Sequence, residues 1–451
     1  MKLCGSTNVK SSTQIIIAAM LLVSFALGQV TIDGYAYLEN QTDHSGITIT
    51  FERTAPSSLT ESTTTLADGY FSAQLDNGIY NISYQEEGFR GQTEVDINCY
   101  ANVNLDTLTL LEYRELIYVP DDHTSIQVAL NLILPGGTIH VAPGTYQENL
   151  SWPATAGIKL IGSGPENCII DGGGISEVIN ISTSIVDTST QISGFSITNG
   201  NAQWGGGIKL DSASPRIANI HVYENTGGIW AMRSSAIIKN SLIWNNSSDG
   251  IYLRLGSDIT LRQVTIVQNN KGIYFGQCTA DIRNSIIRDN SYADLDNYAS
   301  SPQINYSNFG TLTGYSFNYI GVNMITNANG DSCDIYYNIQ EDPLFADVTN
   351  GDYNLQQSSP CIDAGDPTSL LDPDGSIADM GAYPSPYGTP VPIVIDIPND
   401  YSTIQSGLNA ANTNDTVLVQ PGTYYENIFW PETNGIKLIS AGDSSNTIID
   451  G

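Results

Sequence analysis

The chain has 451 residues, more than one ordinary domain holds, and its 41% hydrophobic content can bury real cores, so a disordered polymer is excluded. Its 47 acidic residues against 16 Lys plus Arg leave a formal charge of −31, which argues against a nucleic-acid partner because phosphate neutralisation needs surplus cation. Charged residues reach only 14%, and the abundance of Gly, Tyr, Ser, Thr and Asn favours β-structure and turns.

Lys2 and Lys10 precede an apolar run over 15–23 that continues to Gly28, with Ala26 and Gly28 in a small-x-small arrangement. This pattern predicts an export signal over 1–28, with Gln29 as the first mature residue. The run is short for a membrane span, and no later stretch could cross a bilayer. Loss of the two lysines would take the charge from −31 to −33. The expected location is therefore secreted or cell-surface, with no transmembrane segment in the mature chain. Cys99, Cys168, Cys278, Cys333 and Cys361 are odd in number and lack C-x-x-C spacing, which fits neither a zinc site nor a disulfide scaffold. Cys333 and Cys361 could pair; isolated buried thiols are the simpler reading.

Residues 29–112 alternate as short strands over 30–38, 46–51, 62–66, 70–75, 79–84 and 93–97. Asp68-Gly69 and Asn77-Gly78 read as hairpin turns whose glycines supply positive φ. A small antiparallel sandwich is expected. The run Ala67-Asp68-Gly69-Tyr70-Phe71, with Leu75, Gly78, Tyr80 and Gly88-Phe89, resembles carboxypeptidase-regulatory-like, Ig-type modules. That resemblance implies a spacer or accessory domain.

Residues 113–383 carry a repeat. Val222, Ile243, Ile266 and Ile287 are 21, 23 and 21 residues apart, and Asn225, Asn246, Asn269 and Asn290 follow each by three. Asn219, Asn240, Gln263 and Asn284 precede them by three, and Ile217, Ile238, Leu261 and Ile282 by five. Gly207-Ile208, Gly228-Ile229, Gly250-Ile251 and Gly272-Ile273 open matching strands. Isolated apolar residues between turns fit an all-β parallel solenoid, a right-handed parallel β-helix with coils stacked at about 4.8 Å. Ile would then stack on Ile in the core, and the four asparagines would form a structural amide ladder at a bend.

Residues 117–174 read as the end cap of that solenoid: a short helix at Ser125-Ile126-Gln127-Val128-Ala129-Leu130, a strand over 138–141 and a turn at Pro143-Gly144-Thr145-Tyr146. They resemble the opening of pectin-lyase-like β-helices, pectin methylesterases included. The same unit recurs at 393–451 through Ser402-Thr403-Ile404-Gln405, Pro421-Gly422-Thr423-Tyr424, Glu426-Asn427 and Trp430-Pro431, at an offset of 278 residues. It reads as the start of a second β-helix, truncated where its coils should begin. Between the copies, Asp342-Pro343-Leu344-Phe345, Gly351-Asp352-Tyr353-Asn354-Leu355, Ser359-Pro360-Cys361-Ile362-Asp363-Ala364-Gly365 and Asp379-Met380-Gly381-Ala382-Tyr383 resemble the closing segment of bacterial "choice-of-anchor" surface β-helix proteins. The resemblance implies that 342–383 covers the last coil. Pro384, Pro386, Pro390 and Pro392 mark a stiff linker over 384–392.

Three candidate features carry chemistry. Lys239, Arg262 and Arg283 lie four positions before the aligned Ile column and should stack outward as a basic ridge. Between 205 and 290 nine Lys or Arg face six acids, so such a ridge could hold a polyuronate or cell-surface glycan. The plainer reading is that these stems cover strand surface and deter sideways pairing. Asp372, Asp374 and Asp379 resemble a minimal oxygen-ligand loop for Ca²⁺, with an ordinary Asx-turn loop as the alternative. His123, His140 and His221 are separated and read as structural. No catalytic residue is assigned: the Arg-x-Pro-x-x-Arg run of a lyase and the paired-carboxylate motifs of a hydrolase of this fold are missing from the coils. The resulting expectation is an exported, non-catalytic β-helix protein for adhesion or display, with carbohydrate affinity along one face. The rival reading is a lyase or hydrolase of acidic polysaccharide, which fold alone cannot decide.

Overall fold

A computed structural model describes residues 28–451, so residues 1–27, and with them the export-signal expectation, lie outside the described residues. The chain divides into two compact units at Tyr113 and Arg114.

In the first unit, period-two burial along Gln29–Leu38 and Thr48–Ala55 turns alternate apolar side chains inward. One sheet pairs Tyr70–Asp76 with Gln29–Leu38; the other runs Leu59–Thr64, Thr48–Ala55, Gly78–Gln85 and Gln92–Cys99. Ile32, Leu75, Phe51, Tyr80 and Tyr84 from both sheets share one core. The pairing is not wholly antiparallel, because Val103–Asn104 and Leu108–Leu110 join Gln29–Leu38 in parallel. Gly69 adopts φ 82° as the turn requires. Gly78 does not serve that way: it begins a strand, and a Cβ there would sit 2.5 Å from Arg53 Cδ and 2.6 Å from Ala55 O. Close approach, not turn geometry, fixes that glycine.

The second unit opens with Arg114–Val119 and a helix, Ile126–Leu132, capped by Ser125 Oγ accepting from Val128 N. Glu148, from the next coil, accepts from Ile126 N, Gln127 N and Ser125 Oγ at 2.8–2.9 Å, satisfying the helix's first donors. The solenoid follows as two parallel sheets, one of 13 strands and one of eight. The sequence columns are register columns. Val222 pairs Ile243, Ile243 pairs Ile266 and Ile266 pairs Ile287, all buried; Ile208, Ile229, Ile251 and Ile273 pair likewise in the second sheet.

Over 212–289 each coil turns at three corners, and each corner carries one left-handed residue. Asn219, Asn240, Gln263 and Asn284 form one such column (φ 47–53°), Glu224, Asn245, Gln268 and Asp289 a second, and Ser212, Arg233, Leu255 and Gln277 a third. Asn and Asp tolerate this conformation best, which explains part of the polar repeat. Beside the second corner the amide ladder closes: the Nδ2 groups of Asn225, Asn246 and Asn269 each donate to the next Asn Oδ1 at 2.9–3.1 Å. Asn290 donates to Asp294, whose other carboxylate oxygen accepts from Gly310 N and Thr311 N, ending the ladder on an acceptor.

Ile339 pairs with Asn308 and covers the last coil with Cys333. Residues 342–383 do something else. They run back along the outside of the large sheet: Gly381 N donates to Asn284 O, Ala382 N to Thr265 Oγ1, and Tyr383 reaches His221, each contact on a coil nearer the start. The reason is chemical. Leu242, Val267 and Ile286 occupy outward positions and are buried only because Tyr353, Leu355 and Met380 lie on them.

The opening unit recurs in structure. Val394–Ile397, the helix Ile404–Ala410, Thr416–Val419, Gly422–Tyr425 and Lys437–Ser440 repeat the first cap, and Glu426 accepts from Ile404 N and Gln405 N as Glu148 does. Ile395, Ile404, Leu408 and Val417 give it a core of its own.

Candidate functional site

The retracing segment leaves a cleft of about 450 Å³ against the large sheet. Its floor is two outward columns of adjoining coils, His221 beside Leu242 and Tyr223 beside Trp244, placed there by parallel register. Tyr223 and Trp244 stack with centroids 5.1 Å apart and planes 24° apart; Tyr353, from the segment, leans on Trp244 at 5.8 Å. Tyr353 is held from behind, its hydroxyl donating to Gln268 Oε1 at 2.7 Å. Gly351, at φ 76°, turns the chain close enough that a Cβ would lie 3.5 Å from the Trp244 ring.

At one end Tyr383 Oη and His221 Nε2 are 2.6 Å apart, and Glu166 Oε1 is 3.8 Å from the same nitrogen. Burial lowers the His221 pKa, partly opposed by Glu166, and burial raises that of Tyr383. At neutral pH the pair is therefore an imidazole and an intact phenol. Asp352 adds a second carboxylate, its Oδ1 held by Asn354 N and Nδ2. The cleft lining includes Glu166 and Asp352 and no Lys or Arg among the described residues. Aromatic faces with rigid polar groups at their edges suit a ring bearing both C–H faces and hydroxyls.

Lys239, Arg262 and Arg283 do stack in register. Two of them are engaged: Arg262 binds the Asp281 carboxylate and its carbonyl, and Arg283 bridges Asp281 at 3.2 Å and Asp366 at 3.1 Å. Lys239 is exposed. The column is thus mainly an ion-pair ladder that ties the sheet to the retracing segment. Asp372 accepts from Asp379 N, Asp374 Oδ1 from Ser376 N, and Asp379 from Asp363 N and Ser385 N, while Asp374 Oδ2 is buried without a hydrogen-bond partner. Among the described residues no group of three or more His, Cys, Asp or Glu is arranged to hold a metal ion. Asn225, Asn246, Asn269 and Asn290 are buried in the ladder. All five described cysteines are free and buried.

Sequence reasoning placed no residue of the cleft in a functional role, and it read His221 as structural. The available signal was Tyr223 and Trp244, aromatic at outward positions one coil apart.

The family model for the right-handed β-helix region matches residues 147–287. The solenoid is a right-handed parallel β-helix. No curated protein matches the chain. Among solved structures, pectate lyase Pel9A is 13% identical over 61% of this chain and 97% of its own, with a TM-score of 0.34. The PL6 alginate lyase AlyGC is 11% identical over 74% and 68%, with a TM-score of 0.30. A type II cohesin–X-dockerin complex from Acetivibrio cellulolyticus is 19% identical over 18% of this chain and 56% of that chain, with a TM-score of 0.16. No described helix of the β-helix protein is long and apolar enough to cross a membrane.

Proposed function

We propose that this is an exported, non-catalytic β-helix protein that binds a neutral glycan in the cleft between its large sheet and the retracing segment, for adhesion or display. One observation carries the reading: the Tyr223–Trp244 pair, backed by the buried Tyr353 and edged by Glu166, Asp352 and the His221–Tyr383 pair. Stacking recognises the sugar's apolar face, and the polar edge receives its hydroxyls. Polyuronate is disfavoured because its carboxylates would meet two more without a lining cation. Retention on insoluble neutral polysaccharides, set against pectate and alginate, tests it: retention only on an acidic polymer would sink the neutral assignment.

A hydrolytic reading has one observation in its favour, the presence of both Glu166 and Asp352 in the cleft, since glycoside hydrolysis uses two carboxylates. Release of reducing ends from the retained polymer decides between the two.

A further inference from the structure

The second sheet carries its own outward column, unrelated to the cleft. Register places Trp230 beside Tyr252 and Tyr252 beside Tyr274. Tyr252 and Tyr274 stack at 4.7 Å with planes 12° apart. Trp204, from the loop before this sheet's Ile208–Asp211 strand, leans over them at 5.9 Å from Tyr252 and 6.5 Å from Trp230, yet remains 44% exposed. Outward columns of a solenoid face water, and Ser, Thr or Lys would serve there as well. A run of three aromatics with a fourth brought in from a loop needs a further reason.

Two observations supply one. A crevice of about 60 Å³, room for about two waters or one hydroxymethyl group, opens between Trp204, Trp230, Tyr252 and Asp249. Trp230 is only 8% exposed, and its indole N–H, buried beside that crevice, has no acceptor. A buried donor left unmatched is costly, so a sugar oxygen admitted when the exposed Trp204 ring shifts aside gains that bond. Lys209 pairs with Glu177 at 3.3 Å and Lys271 with Asp296 at 2.7 Å. The remaining cation, the exposed Arg254 whose charge reaches Tyr274, is offset by the Asp249 carboxylate in the crevice lining, so the column holds no surplus positive charge.

We propose that Trp204, Trp230, Tyr252 and Tyr274 form a second glycan site, in which a neutral sugar chain lies along the aromatic column with one hydroxyl oxygen accepting from the Trp230 indole. The column is narrow and its polar contacts few, which suits a carbohydrate strand better than a protein interface, which needs some 800 Å² per partner.

Calorimetric titration with cellohexaose, laminarihexaose and mannohexaose tests it on the full chain. Trp244→Ala disables the cleft, and that protein should still bind one of these probes; Trp204→Ala should then weaken the remaining site at least tenfold, while Tyr252→Phe, which keeps the ring, should preserve it. Trp204 is exposed, so its loss should leave far-UV dichroism and melting unchanged. Failure of Trp244→Ala protein to bind any of the three overturns the second site, as would equal affinity with and without Trp204, or binding only of a proline-rich peptide. Loss of all binding on Trp204→Ala alone would instead remove the cleft reading and leave this one standing.

Discussion

Tyr383 Oη meets His221 Nε2 at 2.6 Å across 162 residues of chain. The contact pins the end of the retracing segment onto a coil near the middle of the β-helix, so the cleft's width depends on it. Tyr383→Phe removes the hydroxyl and leaves a buried imidazole nitrogen without its partner. A loss of about 1–2 kcal/mol is expected from urea unfolding, together with weaker glycan retention. Unchanged retention would show that the cleft does not need this pin.

The amide ladder should be the costliest polar feature to break. Asn269 Nδ2 donates to Ile243 O, Val267 O and Asn290 Oδ1, and its Oδ1 accepts from Asn246 N and Nδ2. Asn269→Ala should cost about 3 kcal/mol or more, since several buried groups lose partners at once. Asn270→Ala, at the exposed next position, should stay within about 0.5 kcal/mol. Paired denaturant melts compare them.

Gly250 is required by proximity. A Cβ there would lie 2.7 Å from Ile266 Cγ2 and 2.8 Å from Gly272 O. Gly250→Ala should therefore destabilise by roughly 1–3 kcal/mol, the usual range for overpacking. A neutral or stabilising result in a thermal melt would mean that the coils can separate locally.

Stability should rise as pH falls from 8 to 5. Burial pushes Asp379 up to about 7 and Asp249 up to about 6, while an unfolded carboxyl titrates near 4. Between those values the folded state holds more protons, so their contribution is full below about pH 4 and is lost as pH rises through 6 and 7. The charge of −31 acts in the same direction. His221 and Asp366 oppose them. Burial keeps the His221 pKa below its ordinary value, so its contribution is lost as pH falls below about 6.5. Hydrogen bonds from Thr368 and Arg283 hold Asp366 low against burial, a contribution lost at the acid end as it protonates. The two raised carboxyls outweigh the single imidazole between pH 8 and 5. Melting at constant ionic strength should give a higher Tm at pH 5 than at pH 8; the reverse order would contradict these assignments.

The β-helix was legible because parallel stacking turns sequence spacing into spatial contact: Ile243 and Ile266 are 23 positions apart and face each other. The repeated cap was legible for the same reason, residue matched to residue at a fixed offset. The cleft was not. Its walls come from Glu166, His221, Trp244, Tyr353 and Tyr383, which no fixed period relates, and they meet only because residues 342–383 turn back along the sheet. The ridge shows the same limit. Arg262 and Arg283 were correctly aligned, but Asp366, which pairs with Arg283 from 83 residues away, could not be placed beside them from spacing.

Hydrogen exchange read by mass spectrometry, with and without a saturating neutral hexasaccharide, locates the bound sugar most directly. Slower exchange is expected in peptides spanning 237–244, 350–354 and the Tyr383 turn. Bound sugar that leaves all three unprotected would contradict a glycan site between the retracing segment and the sheet.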